Sequence, residues 1–583
     1  MNNFREKANF LWSIADLLRG HYKQADYGKV ILPFTVLRRL DFILEPTKQD
    51  VLKAYAKHKD KKPEVLEPIL NNAAKAKFHN HSKFDFNELA KDHNHIAANL
   101  RNYLNGYSIS AKEIIEYFSF DDQIKKLDEY DLLYLVIKKF AEAGELFEGV
   151  DTMEMGYIFE ELIRKFAEIS NETAGEHFTP REVIKLMVNL LFADAEDEKN
   201  LRRKGIVKTL YDPACGTGGM LSVAEEYLHD LNPDAKLEVF GQEINPESYA
   251  ICKSDMLIKG QNPANIKFGN TFTQDGLEEE KFDYMLSNPP FGVDWKKAEK
   301  QVKDEAANRG YAGRFGAGLP PISDGSFLFL QHMISKMKRG KEGSRIGIVF
   351  NGSPLFSGGA GSGPSDIRKW IIENDWLEAI IAMPDQLFYN TGISTYIWLV
   401  TDRKAKERQS KVQLINATGA DKDDKDNPFY QKMMRSLGNK RKEIHEQAIE
   451  KIVKIYHDFN PGPYCKIFDN DDFGYNRITV ERPKRDEKGN IEYDRKGNMM
   501  PDADLRDFEN IPLKEDIEKY FKREVLPHLP DAWIDHSKTK VGYEINFTKY
   551  FYVYKPLRSL EEIRKDILAL EKETEGMIRE VIE

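Results

Sequence analysis

Apolar residues recur at helical spacing through the first third of the chain. Phe10, Leu11, Ile14, Leu17 and Leu18 share one face, and Val36, Leu37, Leu40, Ile43 and Leu44 share another after a start near Pro33. Leu132, Leu133, Val136, Ile137 and Phe140 form a third, and Tyr157, Ile158, Leu162, Ile163 and Phe166 a fourth. No strand alternation interrupts them, which predicts an N-terminal helical domain over residues 1–170. From 171 to 401 the pattern changes to short apolar runs at 207–211, 237–244, 266–268, 282–287, 345–350, 377–383 and 395–400. Amphipathic stretches separate them, among them 220–230, 247–259, 327–338 and 365–373. That alternation predicts an α/β domain with a doubly wound, mostly parallel sheet. The turn-rich stretch 384–394 holds no clear helix, so the last two strands should form an antiparallel pair at one edge. Residues 402–558 read as a turn-rich extension, with a charged loop at 421–427 and turns at 486–490 and 494–498. The chain closes on a helix over 559–583. Ser559 and Glu562 form a capping box, and Leu560, Ile563, Ile567, Leu570, Met577, Ile578 and Val581 make a narrow apolar stripe. Such a stripe on an otherwise charged helix predicts docking on another helix, that of a partner chain, the alternative being a fold-back on its own domain.

Composition narrows the class. The chain has 583 residues, 41% hydrophobic and 31% charged, too many for one core and typical of a soluble globular protein. A net charge of −10 argues against DNA binding by bulk charge alone, so any nucleic-acid contact must be local or come from a partner. The cysteines, Cys215, Cys252 and Cys465, are far apart in sequence, which argues against a disulfide framework or a zinc cluster. His79, His81, His93 and His95 lack ligand spacing and read as members of solvated loops; no metal site is expected. No apolar run is long enough to span a membrane and none marks a leader, so the cytoplasm is the expected compartment.

The chemistry concentrates at strand ends. The apolar run before Asn288-Pro289-Pro290-Phe291 stops abruptly, because the prolines carry no N–H and bias the residues before them towards extended backbone. That places Asn288 in a stiff turn at the carboxyl end of a strand, where open α/β sheets bind ligands. An exocyclic amine on a planar ring is a poor nucleophile because the ring delocalises its lone pair. Two acceptors, the Asn288 side-chain oxygen and the Pro289 carbonyl, would free that pair for attack on a methyl sulfonium, with Phe291 offering a face for the ring. Asp212-Pro-Ala-Cys-Gly-Thr-Gly-Gly219 follows another strand and opens a helix. Its glycines allow a ligand close to the backbone, and an acid at the strand end suits a cationic ligand rather than a pyrophosphate. Glu243 ends the next strand, where an acid bonds ribose hydroxyls, and Asn270 ends the third, where an adenine amine could be read.

Together these residues resemble an S-adenosylmethionine-dependent amino-methyltransferase acting on adenine N6 in DNA. The segment 175–183, Ser323-Asp-Gly-Ser-Phe327, Phe350-Asn-Gly352, the run 368–385 and Leu387-Phe-Tyr-Asn-Thr-Gly-Ile393 extend the likeness to the modification subunit of type I restriction–modification systems. Gly542-Tyr-Glu-Ile545 and Arg558-Ser-Leu-Glu-Glu562 carry it towards the end of the chain. The resemblance implies S-adenosylmethionine held by His177, Phe178, Thr179, Asp212, Ala214, Gly216, Thr217, Gly218, Gly219, Glu243 and Asn270. It implies catalysis by Asn288, Pro289, Pro290 and Phe291, a flipped-out adenine in double-stranded DNA, and two copies of this chain on one specificity subunit beside a restriction subunit. Where the family often has Asp after the third strand, this chain has Asn270, which offers an acceptor without charge.

Other classes fit less well. C5-cytosine methylation needs a cysteine nucleophile, usually after proline, and no Pro-Cys occurs. Protein-glutamine methyltransferases place Tyr after Asn-Pro-Pro in shorter chains. No GxxxxGK[ST] marks an ATP-driven motor. A standalone methyltransferase and a catalytically idle assembly subunit remain as alternatives. The stretch 292–321, with Lys296, Lys297, Lys300, Lys303, Arg309 and Arg314 among four acids, reads either as a mobile solvated loop or as a lid over the DNA backbone.

Overall fold

The computed structural model describes residues 10, 13–143, 179–193, 199–340, 343–389, 391–419, 427–437, 439–552 and 559–582. Residues 1–545 form one compact unit and 546–583 a second.

Nine strands make the central sheet: β1 (Val207–Asp212), β2 (Lys236–Glu243), β3 (Ile266–Phe268), β4 (Tyr284–Ser287), β5 (Arg345–Phe350), β6 (Leu377–Ala382), β7 (Tyr396–Thr401), β8 (Lys411–Asn416) and β11 (Cys465–Asp469). Between the last two, β9 (Gln431–Leu437) and β10 (Lys440–Glu443) form a separate hairpin. The order is β11-β8-β6-β7-β5-β4-β1-β2-β3. Strands β3, β2, β1, β4 and β5 run parallel, so their carboxyl ends share one edge. The chain winds one way from β1 through β2 to β3 and the other way from β4 to β5, which makes the β1/β4 boundary the crevice-forming switch point. The pair expected around 384–394 is antiparallel β6–β7. β7 inserts between β5 and β6, and the sheet does not stop near 401 as the pattern suggested. It continues through β8 to an antiparallel edge strand, β11.

Alternation along β1 shows how the layers form. Leu210 enters the buried cluster shared with helices Arg181–Phe192, Gly219–Leu231 and Glu446–Asp458. The next residue, Tyr211, points to the other face and meets His332 of helix Ser326–Ser335. A buried ion pair, Arg345 to Glu378 at 2.8 Å, locks the first face. Arg345 also donates to the Leu191 carbonyl, and the Tyr456 hydroxyl donates to Glu378, so two helices and two strands share one polar knot.

The N-terminal helices pack into one core with the apolar faces the sequence predicted, and that core takes in Ala250, Ile251 and Leu257 of helix Pro246–Ile258. Arg39–Asp255 and Lys253–Glu113 ion pairs tie the same helix to the helical array. Helix Gly28–Leu44 starts ahead of the expected Pro33, because burying Val30, Ile31 and Leu32 outweighs one lost backbone bond. The predicted face at 157–166 lies outside the described residues. His79 and His81 are not in a solvated loop. His79 is buried and bonds Asn71, His81 stacks on Tyr55, and burial pushes both imidazoles down to about 4, so they are neutral. No group of residues suited to a metal ion occurs among the described residues.

A second small sheet, β12 (Gly474–Glu481), β13 (Asp507–Pro512), β14 (Trp533–Ile534) and β15 (Lys540–Tyr543), has its own core of Ile478, Val480, Ile511, Phe521 and Val525. Arg368 joins it to the main body: its guanidinium donates to the carbonyls of Tyr543, Pro354, Ser357 and Gly358. The turns at 486–490 and 494–498 form as read, with Asp486 and Asp494 accepting the N–H groups of Asn490 and Asn498. In the second unit, helix Leu560–Ile582 begins with the predicted reciprocal cap: Glu562 N–H donates to Ser559 Oγ and Ser559 N–H to Glu562 Oε2. No helix among the described residues is long and apolar enough to cross a membrane.

Candidate functional site

One pocket opens at the carboxyl edge of β1, β2, β3 and β4. Its walls include Thr179, Asp212, Ala214, Gly216, Thr217, Gly219, Glu243, Asn270, Asn288 and Pro290. The structure thus gathers ten of the residues predicted from four strand ends and the segment before β1.

The loop 212–219 is shaped by close approaches. Gly216 and Gly218 have φ of +54° and +86°, and a Cβ on Gly218 would lie 2.8 Å from Cys252 Sγ. Gly218 therefore supports the pocket from behind rather than lining it. Cys215 Sγ sits 4.0 Å from Cys252 Sγ under the same loop, so two cysteines distant in sequence are neighbours in space; both are free thiols. Their mutual contact and burial hold the Cys215 thiol well above its usual range.

The two acids hold the loop in place. Asp212 accepts from Ala214 N–H and Ser287 Oγ, both at 2.9 Å. Glu243 accepts from Gly216 N–H at 2.8 Å, from Ile244 N–H at 2.8 Å and from Asn245 N–H at 2.7 Å. Burial pushes the Asp212 carboxyl up to about 7, helped by the charge of Glu243 and opposed by its two hydrogen bonds. A buried acid in this state favours a ligand that brings positive charge.

At the far side, Asn270 Oδ1 accepts the N–H of Phe272 at 2.9 Å, so this side chain shapes its own turn. Thr271 Oγ1 donates to the Pro213 carbonyl at 2.6 Å and ties that turn to the glycine loop. Phe272 and Phe329 meet with ring centroids 4.6 Å apart and give the pocket an aromatic wall. Sequence reasoning missed both, along with Ile184, Ile244 and Ser248. Ile244 and Phe272 carried a local signal, one residue after Glu243 and two after Asn270; Phe329 arrives from a helix 57 positions beyond Phe272, a placement set by packing alone.

Asn288 leaves β4 beside Asp212, and its Nδ2 donates to Thr179 Oγ1 at 2.8 Å. Pro289 is buried in the turn. Phe291 does not line the pocket. It is 8% exposed, belongs to the main core and meets Phe388 edge-on at 6.3 Å. His177 and Phe178 lie outside the described residues.

Nor is the stretch 292–321 a loose loop. It folds as helix Glu299–Arg309 flanked by short turns, with Trp295, Ala298, Val302 and Phe315 buried against Phe272 and Leu328. Its lysines face solvent, while Arg314 turns inward to donate to the carbonyls of Thr271 and Phe272.

A doubly wound sheet with a glycine loop after its first strand and a polar turn after its fourth defines a methyltransferase fold. The chain belongs to the N-6 DNA methylase family, whose model matches residues 150–488. The HsdM N-terminal domain model matches residues 7–140. Among curated proteins, the type I restriction enzyme MjaIX methylase subunit of Methanocaldococcus jannaschii is 29% identical over 341 residues, 58% of this chain and 54% of that protein. The HindI methylase subunit of Haemophilus influenzae is 29% identical over 266 residues, 45% of this chain and 54% of that one. The chain thus spans about half the length of the curated relatives it matches. Among solved structures, the type I restriction-modification methyltransferase subunit from Streptococcus thermophilus superposes with a TM-score of 0.61 at 23% identity, over 81% of this chain and 97% of that one. A modification subunit of a putative type I restriction enzyme from Vibrio vulnificus gives 0.52 at 15%, over 84% and 95%. These two likenesses concern the fold.

Proposed function

We propose that this chain is the modification subunit of a type I restriction–modification system and transfers a methyl group from S-adenosylmethionine to N6 of an adenine flipped out of DNA. The observation that carries the reading is the placement of Asn288 in the same pocket as the 212–219 loop and Glu243. The pocket fits the cofactor: a buried acid for a cation, open space above Gly216 where a side chain would stand, and an aromatic wall. When bound, the cofactor supplies an electrophilic methyl on a sulfonium. Thr179 holds the Asn288 amide nitrogen, which orients the side-chain oxygen as the acceptor. Together with the Pro289 carbonyl, that oxygen would accept the amine hydrogens and free the nitrogen lone pair for the methyl carbon, whose bond to sulfur would break as the new C–N bond forms while one amine proton passes to water. Glu243 contributes by holding Gly216 and the 244–245 turn as well as by any contact to the ribose. Phe291 braces the turn from the core, and stacking on the target base requires its ring to leave Phe388. DNA reading falls to a specificity subunit, since the chain carries a net −10 charge.

The test is methyl transfer from radiolabelled cofactor to duplex DNA by the chain assembled with its specificity subunit. Label should appear as N6-methyladenine. Label in cytosine or in protein overturns the proposal, and equal activity without the partner makes the chain a standalone enzyme.

Proton linkage gives a second expectation. The Asp212 carboxyl lies near 7 in the folded chain against an ordinary 3.8. Its stabilising contribution is therefore complete below the unfolded value and is lost as pH rises through about 7. A cationic ligand reverses the preference by favouring the carboxylate. S-adenosylmethionine affinity should rise by about tenfold from pH ~6 to pH ~8, with proton release seen by calorimetry in buffers of different ionisation enthalpy. S-adenosylhomocysteine, without the sulfonium charge, should show a weaker slope. Equal slopes for the two would mean that Asp212 does not face the sulfonium.

A further inference from the structure

Arg314 belongs to the stretch whose role the sequence left open, and its guanidinium is fully engaged. Nε donates to Glu305 at 3.1 Å. Nη1 donates to the Thr271 carbonyl at 2.9 Å and faces His332 Nδ1 at 3.3 Å. Nη2 donates to the Phe272 carbonyl at 2.8 Å and to Glu305 Oε2 at 2.7 Å. Arginine has five N–H donors, and all five are used. The pair is largely buried, with side-chain exposures of 17% for Arg314 and 13% for Glu305.

The acceptors define what this clamp does. Thr271 and Phe272 form the pocket wall beyond β3, and their carbonyls are held from behind by one side chain. His332, accepting at Nδ1, donates from Nε2 to the Tyr211 hydroxyl at 3.0 Å. Tyr211 immediately precedes Asp212, so the same guanidinium braces both the first and the third strand ends. Burial together with the Arg314 charge holds the His332 imidazole well below its usual range, so it stays a neutral acceptor. Lysine has three donors and no planar fork, so it cannot make this set.

We propose that Arg314 is a positioning residue for the cofactor: it fixes the Thr271–Phe272 wall, and Glu305 fixes Arg314. The inference rests on the reading of this pocket as the S-adenosylmethionine site. It gives the segment after the catalytic turn a role in cofactor binding rather than in covering DNA. Because the clamp acts on the wall and not on the target amine, it should govern KM for the cofactor and leave kcat largely intact.

The experiment uses the full chain for S-adenosylmethionine calorimetry and the assembled complex for kinetics. Arg314→Met should weaken cofactor binding about tenfold to a hundredfold, the loss expected for several charge-assisted hydrogen bonds. kcat at saturating cofactor should stay within about threefold. Arg314→Lys should recover only part of the affinity, and Glu305→Gln should lose several-fold. Amide exchange over 269–274 should quicken in each variant and slow again with cofactor. A folded Arg314→Met chain with affinity within twofold of the parent overturns the proposal, as does a fall in kcat at unchanged KM. Should Arg314→Met fail to fold, Arg314→Lys and Glu305→Gln decide by the same criteria. Failure of the unsubstituted chain to bind S-adenosylmethionine would instead overturn the assignment of the pocket itself.

Discussion

Asn288→Ala should lower methyl transfer by about 10²-fold or more while leaving S-adenosylmethionine affinity within about twofold. The side chain stands at the end of β4, behind two prolines that forbid its turn from relaxing into helix or ladder. Its oxygen matters most when the amine hydrogens leave the ring plane, a geometry reached only on the way to the transition state, so the loss falls on kcat. The substitution also removes the bond to Thr179 Oγ1, which touches the pocket at one point while Asp212, Glu243 and the glycine loop keep theirs. Asn288→Asp provides the complementary variant: it retains an acceptor but loses the donor to Thr179 and adds charge. Single-turnover methylation of a duplex target together with cofactor calorimetry separates the two steps. Near-parental methylation by Asn288→Ala would remove Asn288 from catalysis. A parallel collapse of cofactor affinity would make it a pocket residue instead.

Removing residues 559–583 should abolish co-purification with the specificity subunit and leave the rest of the chain folded and able to bind S-adenosylmethionine. Of the stripe on helix Leu560–Ile582, the described Leu560, Ile567 and Leu570 are 85%, 60% and 62% exposed. Burying each such side chain is worth about 1.5–3 kcal/mol, so docking the stripe on a partner's helix has ample driving force. The sequence extends the stripe through Met577, Ile578 and Val581. Residues 1–545 make a compact unit by themselves, which is why truncation should spare the pocket. The partner follows from the proposed type I assembly, for which the family resemblance implies a specificity subunit with long helices between its recognition domains. Size-exclusion chromatography of the co-expressed chains reads the outcome. Assembly of the truncated chain at normal affinity would make the helix an intramolecular element. A truncated chain that no longer binds cofactor would point to a structural role.

The strand–loop–helix around Asp212, the stop at Asn288-Pro289-Pro290 and the cap at Ser559 were all legible in the sequence. Proline, glycine and short polar side chains act on backbone within a few residues, so their consequences are local. The same locality explains the turns at Asp486 and Asp494 and the antiparallel pairing of β6 with β7. Where a side chain points after the chain has folded is another matter. Arg314 sits among lysines in sequence, and only the need to satisfy the Thr271 and Phe272 carbonyls draws it inward. Phe291 stands next to the catalytic turn, yet packing against Phe388 claims its ring for the core. Strand β11 reads as part of an extension, but pairing with β8 across some fifty residues places it in the central sheet. Cys215 and Cys252, and His79 and His81, likewise owe their surroundings to distant segments. Backbone chemistry determined where the chain turns and which polar groups stand at strand ends. Burial of apolar surface and pairing of buried polar groups across long loops, which no short window contains, decided which of those groups face the pocket.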